Sequence, residues 1–368
     1  MMPKRSTASR ASSAVRADSQ LFADDSPTGT PKLSDFQPGQ AGDCFVLLVS
    51  KTRSSTRDGK PYYRVVFRDP GRTATAMIWS DGALFADCEH GWEPGKFYKL
   101  RCRYTENQYG PQVDVDRIRE ATDDDTADGF DPAEFFTASR FDAEKMFSEL
   151  VELVESHVSD PSVRQLVVEI LTENSDAVRK HPAASRNHHA FRAGFLEHVL
   201  SVTRTAVYLA DKYSDYYPDM QPPLNKSLVV AGAVLHDIGK LIELIDQPQG
   251  ATYSPAGRLI GHLLLGRDMI RAKALEIEDF DAELLLRLEH IIVAHHNIPE
   301  FGSPIPPHTP EALLVYHSDE IDAKINMMAA ALATPGGDAE FTSRDNPLRR
   351  SIFRGLPSTE EEHAEEAE

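Results

Sequence analysis

Eleven of the 14 histidines lie between His181 and His317. Several sit inside apolar stretches: His198 in GFLEHVLSV, His236 in GAVLHDIGK, His262 in LIGHLLLG, and the adjacent His295 and His296 in IIVAHHN. A single imidazole on an apolar face is ordinarily a satisfied core residue. A set in one region, with Asp237 directly after His236 and Asp319 further on, is a different matter. Neutral imidazoles beside carboxylates are a donor set for divalent transition metals. Adjacent His-Asp and His-His pairs at helix ends, where the chain turns, can send both side chains into one pocket. The cysteines Cys44, Cys88 and Cys102 lie far upstream of this set. They exclude a disulfide framework and a cysteine-rich zinc module, and fit a reducing compartment.

The elements that must position the histidines read as helices. Phe147, Leu150, Val151, Val154 and Val158 recur at helical spacing. Asp160 and Pro161 fit an N-cap followed by proline at the first helical position, opening a helix with Val163, Leu166, Val167, Ile170 and Leu171. The pattern predicts further helices over about 192–213, 227–236, 257–277, 281–295 and 309–332, with Ser227 and Thr309 as N-caps. Nothing in this half alternates like a strand, so it reads as an all-α domain.

The N-terminal half has the opposite character. Short strands are expected at 44–50, 62–69, 73–79, 97–104 and 112–118, separated by the turn dipeptides Asp58-Gly59, Pro94-Gly95 and Tyr109-Gly110. Tyr98, Leu100, Cys102 and Tyr104 should face one way, and Lys99, Arg101 and Arg103 the other. Five strands with an insertion between the third and fourth match a small β-barrel of the OB type.

Charge sharpens the division. The chain of 368 residues carries a net charge of −19, which taken whole argues against a nucleic-acid partner. Residues 123–134 carry six acids and no base, and the tail from Pro357 carries six more. Residues 41–120 hold 13 Lys/Arg against 11 Asp/Glu, a net of +2, so the barrel is mildly basic inside an acidic chain. The reading is therefore a disordered arm over 1–35, a barrel over 36–122, an acidic linker over 123–140, a helical domain over 141–345 and an acidic tail over 346–368. The first 30 residues lack the apolar core of a secretory signal, and no apolar run approaches membrane-spanning length.

At this point a family is recognisable. His198, His236-Asp237, His262, His295-His296 and Asp319, with HDIGK as the most specific piece, resemble the signature of the HD-domain phosphohydrolase superfamily. HIIVAHHNIPEFGSP followed by PEALLVYHSDEIDAKINMM, behind GKPYYRVVFRD and EPGKFYKLRCRY, resembles the YhaM-type 3′→5′ exoribonucleases over roughly residues 40–345. Tyr316-His317-Ser318 departs from that pattern just before the final Asp, without touching a ligand position.

The resemblance implies an OB-fold barrel followed by an all-α HD bundle. It implies His198, His236, Asp237, His262, His295, His296 and Asp319 as metal ligands, with Asp237 bridging two divalent ions. Manganese is favoured, and iron, cobalt or magnesium are the alternatives. Asp237, His236 and Lys240 would carry the chemistry, Lys240 as the phosphate contact. His188, His189, Arg192 and His290 are candidate substrate contacts, whereas His181, His308 and His317 read as structural. On the barrel, Arg64, Arg68, Lys99, Arg101 and Arg103 could track a single-stranded backbone, and Tyr62, Trp79 and Tyr109 could stack on bases. The implied reaction is two-metal hydrolysis of single-stranded RNA, or of single-stranded DNA, to nucleoside 5′-monophosphates in the cytoplasm, with no membrane partner and a homo-oligomer left open. The alternative is a phosphohydrolase of a small nucleotide, either a cyclic dinucleotide or a nucleoside triphosphate.

Overall fold

The computed structural model describes residues 29–356 except 137, 185–188, 190, 249, 335, 338 and 339. The first 28 residues, the tail from Pro357 and His188 therefore lie outside the described residues.

The N-terminal domain is built from β1 (Ala41–Ser55), β2 (Pro61–Arg68), β3 (Thr73–Trp79), α1 (Phe85–Gly91), β4 (Phe97–Asn107) and β5 (Gly110–Glu120). The strands close into a barrel in the order β1-β2-β3-β5-β4. All neighbours are antiparallel except β3 and β5, which meet in parallel at Thr75 and Gln112. This is the five-stranded OB-fold barrel that the strand spacing predicted. The alternation in β4 is as expected, with Tyr98, Leu100, Cys102 and Tyr104 buried and the cations between them facing out. The register Tyr62↔Trp79, Arg64↔Met77 and Arg68↔Thr73 puts these side chains along one outer strip of β2 and β3.

Two segments expected to be loose belong to the barrel. Leu33 and Phe36 are fully buried in its core. Asp69 holds the N–H and hydroxyl of Ser34, and Arg72 donates to the carbonyls of Leu33 and Phe36. The apolar pair was hidden in a polar stretch, so the arm as expected ran too far. The acidic stretch likewise folds back, as two short 3-10 turns over Asp123–Asp128 and Pro132–Phe135. Phe130 and Phe135 pack on Phe45 and Leu47 in a satellite core. Buried Asp125 takes a two-pronged pair from Arg119, at 2.5 and 2.7 Å. Composition showed the acids, but not that the barrel supplies their cations.

The C-terminal domain is a helical bundle: α2 (Ala143–His157), α3 (Pro161–Glu173), α4 (Ser175–Lys180), α5 (Gly194–Tyr216), α6 (Lys226–Leu235), α7 (Lys240–Glu243), α8 (Pro255–Leu259), α9 (His262–Ala274), α10 (Ala282–Ala294) and α11 (Pro310–Ala333). Asp142, Asp160, Asn225, Ser254, Asp281 and Thr309 cap their helices by accepting a backbone N–H. Helix α6 is apolar on every side from Leu228 to Leu235 and is buried over that stretch. A helix with no polar face has to lie at the centre, and α5, α10, α11 and α3 surround it.

Among the described residues, the helical domain also carries one short sheet. Residues Leu244–Ile245 (β6) and Thr252–Tyr253 (β7) form a small hairpin, too short for alternation to announce it. The helix expected over 257–277 also breaks into α8 and α9 at Gly261, whose φ of +82° suits glycine. Among the described residues no helix is long and apolar enough to cross a membrane.

Candidate metal centre

The central helix delivers the first two site residues. His236 and Asp237 follow its last turn and are 0% and 1% exposed. Gly239 then lets α9 come close: a Cβ there would lie 2.1 Å from the carbonyl oxygen of His262 and 2.5 Å from the backbone nitrogen of Gly266. That approach sets His262, the first residue of α9, against Asp237. His198 comes from α5, His295 and His296 from the end of α10, and Asp319 from α11.

Each imidazole is fixed by its Nδ1. That of His198 donates to Asp322 Oδ2 at 2.7 Å, and that of His262 to Glu243 Oε1 at 3.1 Å. Those of His236, His295 and His296 donate to the carbonyls of Ala233 (2.8 Å), Ile292 (2.7 Å) and Phe301 (2.6 Å). All five partners can only accept, so Nδ1 carries a proton and Nε2 is the atom that could ligate a metal.

Those Nε2 atoms sort around the two oxygens of Asp237. Oδ2 lies 3.5 Å from His198 and 3.4 Å from His236. Oδ1 lies 3.4 Å from His262 and 3.7 Å from His295. Asp319 Oδ1 adds to the first group, 3.2 Å from His198 Nε2. Two donor sets result, His198, His236 and Asp319, and Asp237, His262, His295 and His296, each with its ligating atoms within 4.8 Å of one another.

The charge states of His295, His296, Asp237 and Asp319 suit ligands, and His198 is the exception. Burial, helped by His296, pushes His295 down to about 3, and burial also lowers His296. Both rings are neutral at neutral pH. Burial opposes ionisation of Asp237, but Lys240 and His236 outweigh it and hold the carboxyl well below its usual range. Asp319 is depressed in the same way, burial being overcome chiefly by His198. For His198, burial disfavours the charged form, yet hydrogen bonds to Asp237, Asp319 and Asp322 raise it well above the usual value.

A divalent metal fits this donor set on a direct observation. Asp237 Oδ1, His262 Nε2 and His295 Nε2 are buried and make no hydrogen bond. Buried polar atoms without partners cost about 1–3 kcal/mol each, and three of them converge here.

All seven expected ligands thus meet in one place. Lys240 joins them, its Nζ 2.6 Å from Asp237 Oδ2, with Asp237 raising its pKa against the effect of burial. The other candidates part company. His189 is 5% exposed and bonds Asp322 Oδ2 at 3.1 Å, so it buttresses the centre from behind and does not face the substrate entry. His290 accepts the backbone N–H of His308 and stacks on that ring. Arg192 lies over the ring of Phe136 at 3.6 Å and is 3.6 Å from Asp246. His181, expected to be structural, is buried with Nε2 3.0 Å from the carbonyl of Lys240.

Asp322 and Glu243 escaped the sequence reading. Asp322 binds His198, His189 and Ser201, the last at 2.5 Å. Its signal was its place one helical turn after Asp319. Glu243 stands likewise one turn after Lys240.

A cleft of about 590 Å³ opens over the centre. Its floor is His262, His295, His296 and Asp319, its cations are Lys240 and Lys324, and Tyr253 and Phe301 stand on its walls.

The barrel cations also divide. Arg64 is exposed beside Tyr62 and Trp79, whose rings pack 5.1 Å apart, and Trp79 is 46% exposed. Arg101 is 3.4 Å from Asp43, and Arg103 donates to the carbonyl of Gly39. Lys99 is paired with Asp128 at 2.6 Å and with Asp125, so the acidic turn already occupies it. Arg68 joins the two domains, donating to the carbonyls of Phe135 on the barrel's own turn and of Pro248 in the helical domain.

The HD domain family matches residues 195–324, which span every residue from His198 to Asp319. The solution NMR structure of the second OB-fold domain of replication protein A from Methanococcus maripaludis is similar over 24% of this chain and 92% of its own, with 17% identity and a TM-score of 0.20. A crystal structure of a domain of replication protein A from the same organism covers the same shares with 14% identity and a TM-score of 0.21. The match to the HD domain family thus falls on the helical half of the chain, behind a five-stranded barrel of the OB type.

Proposed function

We propose that the protein is a 3′→5′ exoribonuclease that hydrolyses single-stranded RNA, and by the same chemistry single-stranded DNA, to nucleoside 5′-monophosphates. The observation that carries this reading is the carboxylate of Asp237. Its two oxygens face two separate groups of histidine Nε2 atoms, of which His262 and His295 line the floor of a cleft.

A phosphodiester resists hydrolysis because its anionic oxygens repel hydroxide and its alkoxide leaves poorly. Two divalent ions held by such a site would lower the pKa of a water towards neutrality and stabilise the attacking and leaving oxygens. His198, His236 and Asp319 would hold one ion and His262, His295 and His296 the other, with Asp237 between them. The nitrogen and oxygen donors, without sulfur, favour manganese, with iron, cobalt and magnesium as alternatives.

The protein's own residues do the rest. Asp322, Glu243 and the carbonyls behind each ring orient the rings so that each Nε2 faces the site, His198 giving up its second proton on binding. Lys240 keeps its charge in the cleft wall, where it can meet a phosphoryl oxygen. The barrel offers Tyr62, Trp79 and Arg64 to an upstream strand, and its tether raises the local concentration of the strand end at the cleft. A hydrolase of free nucleotides would gain nothing from that tether.

The test is a 5′-labelled single-stranded RNA incubated with the protein and Mn²⁺. The expected result is a ladder shortening from the 3′ end, nucleoside 5′-monophosphate as product, and no ladder with Asp237→Ala. Undegraded RNA, or turnover of a small nucleotide in its place, would overturn the proposal.

A further inference from the structure

The β6–β7 hairpin starts at the metal centre and ends at the barrel. Its first residue, Leu244, follows Glu243, the residue that orients His262. Leu244 pairs with Tyr253 across the hairpin, and both line the cleft. The loop between the two strands carries Asp246 and Pro248. Arg68, the last residue of β2, donates through Nη2 to Pro248 O at 3.0 Å and to Phe135 O at 3.2 Å. Arg192 reaches the same loop from the helical domain, lying between Phe136 and Asp246.

Arg68 is also the near end of the barrel's outer strip. Tyr62, Arg64 and Arg68 share that strip, with Trp79 opposite Tyr62. At about 3.3 Å per residue the strip is roughly 20 Å long. It runs from the Tyr62–Trp79 pair to the hairpin that walls the cleft. The hairpin's own ring in the cleft, Tyr253, is 46% exposed above a floor of histidines.

We propose that Tyr253 stacks on the nucleobase at the 3′ end of the strand, and that Arg68 positions it by fixing the hairpin loop to the barrel. The inference rests on the exonuclease reading and adds to it the residue that receives the terminal base. Stacking on a ring accepts every base, because every base has a π-face. An enzyme that removes residues one after another needs that tolerance. Arg68 is a positioning residue and touches no substrate. Both its observed hydrogen bonds go to backbone carbonyls, so the contact demands a donor at that place and no particular sequence in the loop.

The experiment uses the full chain with metal chelated, so that no turnover occurs, and an oligonucleotide with 2-aminopurine at its 3′ end. An otherwise identical strand with the probe at an internal position is the control. Binding should quench the terminal probe. Tyr253→Ala should abolish that quenching, and Tyr253→Phe should keep it. Arg68→Ala should lose most of it and Arg68→Lys recover part, with unchanged quenching of the internal probe. With Mn²⁺ restored, Tyr253→Ala should raise KM for long RNA about tenfold and lower kcat less. Terminal quenching unchanged in Tyr253→Ala, or lost equally in Tyr253→Phe, overturns the inference. A wild-type protein that quenches the terminal probe but leaves RNA intact with Mn²⁺ overturns the exonuclease reading and leaves the stacking contact standing.

Discussion

Asp322 accepts the Nδ1 proton of His198 at 2.7 Å, on the far side of the ring from Asp237 and Asp319. It is itself held by Ser201 and His189. One carboxylate outside the ligand set therefore fixes both the tautomer and the direction of the first histidine.

Asp322→Asn keeps the shape and removes the charge. Metal affinity should fall about 10–100-fold, measured by competition with a fluorescent chelator. Circular dichroism should be unchanged. Equal affinity in wild type and variant would show that His198 needs no such support.

Metal binding should depend on pH in a stated direction. His198 is raised well above its ordinary value in the metal-free site, so it carries a second proton at neutral pH. Binding must displace that proton. Apparent affinity should therefore rise with pH through neutrality and level off above the raised pKa. Asp322→Asn removes one of the groups that raise His198, so the rise should move to lower pH. An affinity flat across neutrality would contradict this.

Gly239→Ala tests the approach of α9. The added Cβ would meet the backbone of His262 and Gly266, not a flexible side-chain tip, so α9 must move. We expect a loss of about 1–3 kcal/mol in stability, of the size seen on overpacking, and loss of the metal group that includes His262. Gly91→Ala is the control, since nothing lies within 4 Å of its new Cβ. Full metal content in Gly239→Ala would refute the steric account.

The acidic turn makes a pH prediction for the barrel. The guanidinium of Arg119, with the N–H of Thr122, holds Asp125 well below the usual carboxylate range against the effect of its burial. A depressed folded-state pKa means stability present in full above the ordinary carboxylate value and lost as pH falls below it. Trp79 and Trp92 are the only tryptophans and both lie in the barrel, so indole fluorescence follows this domain alone. Acid unfolding should be steeper in wild type than in Asp125→Asn. Coincident acid curves would mean that the pair contributes nothing.

The candidate ligands were legible as a set because the HD pattern is local: HDIGK and the His-His pair are each contiguous in the chain. The barrel was legible because its alternation spans whole strands, as in β4. The supports were not. Asp322, Glu243 and the β6–β7 hairpin act across distances that only folding closes, and an aspartate one turn past another looks like a solvated face. Leu33, Phe36, Phe130 and Phe135 were lost in polar surroundings, because composition averages away a few anchoring rings. Arg68 and Lys99 looked like free cations, since sequence counts charges and not their partners.

Asp237 would serve two metal positions at once. The most direct test is the number of Mn²⁺ ions bound per folded chain, by titration calorimetry with metal analysis. Wild type should bind two, His296→Ala one, and Asp237→Asn neither tightly. A wild-type protein that binds fewer than two, or an Asp237→Asn protein that keeps both, would contradict the account.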